Sequence, residues 1–112
     1  MKILAERAFR ILEFLRRQGT ILDFGGYILG ENAVCSAIIT EVQPSAQSIS
    51  LRLFSDPESN AFEVAISLHQ GTFFFSQLGD PTFQRVAGSD WHSVLEVAFP
   101  DFTILFFAER TG

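Results

Sequence analysis

The sequence predicts an α+β fold: one N-terminal amphipathic helix packed on a curved antiparallel β-meander of six or seven strands, a partly open barrel. Three observations predict it. Apolar residues recur with a period near 3.6 up to Gly19 and with a period of 2 after it. Five of the eight basic residues (Lys2, Arg7, Arg10, Arg16 and Arg17) fall in the helical segment, so that residues 1–18 carry +3 and the remainder −8. The segments after Gly19 are short, divided by turn-forming residues, and include no second helix long enough for a parallel crossover. At 112 residues the chain is expected to form a single domain, 1–112, with a helix over 2–18 and an antiparallel sheet over 20–109.

Within the helix, a rotation of about 100° per residue puts Leu4, Ala8, Ile11, Leu12 and Leu15 on one face and Lys2, Glu6, Arg10, Glu13 and Arg17 on the other. Glu6 with Arg10 and Glu13 with Arg17 are i,i+4 ion pairs in the favourable order. Ile3, Phe9 and Phe14 widen the apolar arc, as in a helix that packs deeply. Gly19 stands where a helix C-terminus takes a left-handed residue.

Two strands are the most clearly patterned. Ile49, Leu51 and Leu53 alternate with Ser48, Ser50 and Arg52, and Phe62, Val64, Ile66 and Leu68 alternate with Glu63, Ala65, Ser67 and His69. Further strands are expected near 21–29, 33–42, 72–78, 93–99 and 102–109, joined by hairpins at Gly30-Glu31-Asn32, Gln43-Pro44-Ser45, Ser55-Asp56-Pro57, Gln70-Gly71 and Pro100-Asp101. The stretch from Gly79 to Trp91 is the least regular. Phe73 to Phe75 and Ile104 to Phe107 are apolar at successive positions, hence on both faces of their strands, which predicts a homodimer that covers the outer face at Phe74.

Composition narrows the function. A net charge of −5 argues against a nucleic-acid partner. No apolar run approaches the roughly 20 residues of a membrane-spanning helix, and charges interrupt the N-terminal segment, so neither a membrane span nor a signal peptide is expected. The lone cysteine, Cys35, lies in a small apolar strand with no basic residue beside it and reads as buried filler in a reducing, cytoplasmic setting. One Cys and two His at wide spacing match no metal-ligand pattern, and no cofactor motif is present.

The candidate contact residues are Trp91, His92, Tyr27 and Phe74. Trp91, in a Gly-Ser-Asp-Trp-His segment, suits either an anchor for a partner or a plug at one end of the barrel. His69 stands on the polar face of its strand beside a turn. An acid–base site could combine either histidine, His69 or His92, with Asp80, Asp90 or Glu96. Asp23-Phe24-Gly25-Gly26 has none of the accompanying elements of a kinase or phosphate loop, so its glycines are expected to permit a bulge or a close crossing of the helix. In architecture alone a small antiparallel barrel resembles the PilZ family, which binds cyclic dinucleotides. That family's paired arginines are absent, since Ile11 follows Arg7 by four and Phe14 follows Arg10 by four, and so is its Asp/Asn-x-Ser-x-x-Gly element; no ligand or site is carried over.

The expected function is that of a small cytoplasmic noncatalytic binding or interaction domain, with a homodimer or another protein as partner. The alternatives are a carrier of a small apolar ligand in a Phe-lined barrel interior and a hydrolase-like enzyme using His92 with Asp80 or Asp90.

Overall fold

A computed structural model describes residues 1–28, 31–54, 61–80, 91–101 and 103–110, with the side chains of 27, 28 and 31–33 left aside. The expected turns at Gly30 and at 55–57, and most of the irregular stretch before Trp91, lie outside the described residues. The elements are β1 (Lys2–Ile3), α1 (Ala5–Gln18), β2 (Leu22–Ile28), β3 (Glu31–Gln43), a 3-10 turn (Pro44–Ala46), β4 (Ser48–Phe54), β5 (Ala61–Ser67), β6 (Thr72–Gln77), β7 (Trp91–Ala98) and β8 (Ile104–Arg110). All eight strands join one antiparallel sheet in the order β1-β6-β7-β8-β2-β3-β4-β5. The α+β class is as expected, with one strand more than the pattern suggested.

The extra strand comes from the expected start of the helix. Lys2 and Ile3 pair with Phe74 and Phe73, and Leu4 is extended at φ −74°, ψ 151°, so the first helical residue is Ala5. Ladder pairing has satisfied these backbone groups before the helix begins, and Leu4 supplies no side-chain cap. Its carbonyl accepts the Ala8 N–H, while its side chain is left 78% exposed. The buried face of α1 is accordingly Ala8, Phe9, Leu12 and Leu15, with Ile11 half-buried, a face turned toward Phe9 relative to the one centred on Leu4 and Leu15. Gly19 closes the helix as expected, at φ 62° with its N–H directed to the carbonyls of Arg16 and Leu15.

The connections explain the curvature. From β2 onward sequential strands pair as hairpins except between β5 and β6, which stand six strand-steps apart in the sheet order. Laid flat, that is about 29 Å at the usual inter-strand spacing. The link is only Leu68–Gly71, with a turn in which the Gly71 N–H reaches the Leu68 carbonyl, and five residue steps span at most about 17 Å. The sheet therefore has to roll up, yet β5 and β6 do not pair, and the barrel stays open at that seam. Part of the roll is built into β3. Its first half pairs with β2 and its second with β4, and the register shifts between Ile39 and Glu41, where a bulge bends the strand.

The helix fills the concave side. Its buried side chains form one cluster with Phe24, Ile39, Leu51, Phe73, Leu95 and Phe107, and Phe9 meets Phe73 edge-on at 5.9 Å. The pattern Ile49, Leu51, Leu53 is buried as expected. In β5 burial declines along the expected inner row, from the buried Leu68 just beyond the strand through the half-buried Ile66 and Val64 to Phe62, which is 54% exposed, because this strand has a neighbour on one side only.

No register shift marks a bulge in β2 at the paired glycines. Gly26 at φ 143° pairs with Leu105, and a β-carbon there would lie 2.0 Å from the Ile104 carbonyl oxygen; its role is the close approach of β8. No helix among the described residues is long and apolar enough to cross a membrane.

Candidate functional site

Trp91 and His92 are neighbours that the fold separates. The β7–β8 register shifts between Trp91 and Ser93, and this bulge breaks the alternation at the end of the strand. Trp91 lies on the convex face, 5.6 Å from the Phe106 ring, where the two rings pack against the buried Val94 and Ala108. Its indole N–H donates to Asp23 Oδ2 at 2.9 Å, and the same oxygen pairs with Arg110. With its carboxylate engaged twice and its side chain only 13% exposed, Asp23 ties β2 to the ends of β7 and β8. The other predicted contact residues do not join this group: Phe74 is half-buried on β6, opposite Glu96, and Tyr27 pairs through its backbone with Asn32, its side chain lying outside the described residues.

Of the seven successive apolar positions at 73–75 and 104–107, Phe73, Leu105 and Phe107 are buried in the main core, and Phe75 packs against it. The convex side keeps Phe74, Phe106 and Ile104.

His92 belongs to the helix side. It lines a cleft of ≈ 390 Å³ with Arg7, Arg10, Ile11, Phe14, Leu15, Phe75, Gln77, Ser93 and Glu109. Within it the buried Ser93 hydroxyl donates to Glu109 Oε2 at 3.2 Å, whereas the Arg7 guanidinium and the His92 ring have no polar partner among the described residues. Asp80, one of the carboxylates expected to serve His92, does not line this cleft. Asp80 is half-buried in the turn after β6, where its N–H reaches the Gln77 carbonyl, and Asp90 lies outside the described residues. The acid that lines the cleft, Glu109, is held by Ser93 rather than by the imidazole, so the described residues assemble no hydroxyl–imidazole–carboxylate chain there. His69 is exposed, with its ring 3.0 Å from Gln47 Oε1.

A second groove, ≈ 780 Å³, runs along the other flank of α1 and is lined by Ala5, Glu6, Phe9, Arg10, Glu13, Phe14, Arg17, Pro44, Ser45 and Gln47. Arg10 and Phe14 border both depressions and form the ridge between them, with Phe14 57% exposed. The ridge's charge is arranged by pairing. Glu6 takes Arg10 as expected, but Glu13 accepts a two-nitrogen fork from Arg16 at i+3 and only a longer contact, 3.3 Å, from Arg17. The Arg16 hydrogen bonds hold the Glu13 carboxyl below its ordinary range, and Glu13 in turn raises Arg16. Arg7, which lines one cleft with the exposed Phe14, has no ion-pair partner among the described residues.

Arg7, Arg10 and Phe14 were not among the residues singled out from sequence. Their signal is the i, i+3, i+7 spacing of 7, 10 and 14; Phe14, expected to widen the packed arc, instead stands exposed beside the two arginines' stripe. Cys35 packs partly buried against the core, and burial, with the Asp23 charge second, pushes its thiol up. No group of three or more His, Cys, Asp or Glu side chains suited to a metal occurs among the described residues. No protein-family model, no curated protein and no solved structure matches the chain.

Proposed function

We propose that the chain is a cytoplasmic, noncatalytic binding domain whose recognition element is the exposed ridge of α1, and that its partner is an acidic, amphipathic protein segment seated along that ridge. The observation that carries this reading is Phe14, a large aromatic side chain left more than half exposed between two depressions and flanked by Arg7, Arg10 and Arg17. An aromatic anchor with arginines around it is the composition from which binding hot spots are made. Four of the eight basic residues lie on α1, so in a chain of net charge −5 this helix offers an acidic partner a favourable approach. The carrier reading shifts with this geometry, because α1 occupies the concave side of the sheet and the depressions border the helix.

A photo-crosslinking residue placed at 14 in the native host, with the same residue at the outward-facing Arg52 as control, tests the proposal. A discrete protein adduct from position 14, lost when Arg7 and Arg10 are changed to Glu, supports it. Adducts of equal yield from both positions, or none from position 14, refute it.

A further inference from the structure

The sheet has two edges, and only one is guarded. At the β1 end the edge strand is two residues long and carries Lys2, a short charged terminus of the kind that blocks pairing. At the other end β5 is seven residues long, contains no Lys, Arg or Pro, and pairs only with β4 among the described residues. Its one charge, Glu63, is turned to its own neighbour, accepting a 2.9 Å hydrogen bond from Arg52 across the β4–β5 ladder. On the other face Phe62, Val64 and Ile66 form an apolar row that is half-buried or exposed.

We infer that β5 is a homodimerisation edge, pairing antiparallel with β5 of a second copy about a twofold axis at Val64. The strand's sequence is self-complementary in that register. Phe62 faces the partner's Ile66, Val64 faces the partner's Val64, and Ala61 faces the partner's Ser67, so the apolar row continues across the junction and the exposed phenyl ring is covered. Glu63 faces the partner's Ala65, so no like charges are opposed. Moving the axis to Glu63 would set two carboxylates against each other, a destabilising arrangement for directly opposite residues. The twofold arrangement uses the same edge on both copies and closes after two, leaving the guarded β1 edges at the ends of the joined sheet. Seven residue pairs make an interface below the roughly 1,200 Å² of stable complexes, so the dimer is a weak one.

Ala65 is exposed and lies opposite Glu63 only in the dimer, which makes it the discriminating position. Sedimentation of the full chain up to about 500 µM should show a monomer–dimer equilibrium. Ala65→Glu should weaken it and Ala65→Lys should strengthen it, each by about two- to thirtyfold, since each substitution creates two symmetric cross-strand pairs. Circular dichroism melts of both variants report whether the monomer fold is kept. A wild-type chain that stays monomeric throughout overturns the inference, as does a dimer whose affinity moves the same way, or not at all, with both charges.

Discussion

Leu12→Ala is the perturbation that most directly tests how the helix meets the sheet. Leu12 is 0% exposed and belongs to the main core cluster, so truncation both removes buried methyl groups and leaves a cavity between α1 and the strands. Such changes cost about 2–5 kcal/mol. Against a total stability of about 5–15 kcal/mol, this is a large fraction. Ile11 is half-buried, and the same truncation there should cost about 1–2 kcal/mol, in proportion to the smaller area withdrawn from water. Leu4 is 78% exposed at the helix N-cap, and Leu4→Ala should stay within about 0.5 kcal/mol. Urea unfolding with a common m-value gives the three differences directly. A helix oriented by the simple rotation from residue 2 would place Leu4, Ile11 and Leu12 alike on the buried face. Equal losses for Leu4→Ala and Leu12→Ala, or a greater loss for Ile11→Ala than for Leu12→Ala, would show that the packing argued above is wrong.

Gly26→Ala should disrupt the β2–β8 ladder and cost several kcal/mol, roughly the upper end of single-substitution effects, because the new methyl group meets the Ile104 carbonyl at a backbone angle that L-residues avoid; amide hydrogen exchange in β8 faster than in β4 would register it, and unchanged protection would refute it. The Cys35 thiol, raised by burial and then by Asp23, should react with a thiol-specific disulfide reagent at pH 8 more slowly than the same residue in the urea-unfolded chain, and a native rate equal to the unfolded rate would contradict its placement.

The strands and the class were legible because they rest on local alternation. The rows Ile49, Leu51, Leu53 and Leu95, Val97 need only a period of 2 to be read, and they are buried as that period requires. The start of the helix was not legible, because Lys2 and Ile3 fit the helical wheel as well as they fit a strand; what decided their state was an edge of β6 more than seventy residues away. The same limit hid the candidate site. His92 was visible as a rare titratable residue, but its neighbours Arg7, Phe14 and Glu109 come from opposite ends of the chain, and only the roll of the sheet around α1 brings them together.

The rolled sheet also explains why its two edges differ. A barrel that closed through a β5–β6 ladder would need no guard on either strand, since closure removes edges altogether. Here the four-residue link brings β5 and β6 to one seam without pairing them, and β1 is spent on the β6 side. One edge is thereby capped from within the chain, and the other, with Phe62 outermost on its apolar row, has no cap among the described residues. A strand that had evolved to remain an open edge would carry an inward charge or a proline in this row. Phe62, Val64 and Ile66 carry neither; Val64 and Ile66 pack on the core, and the exposed Phe62 is the apolar group that a paired β5 would cover.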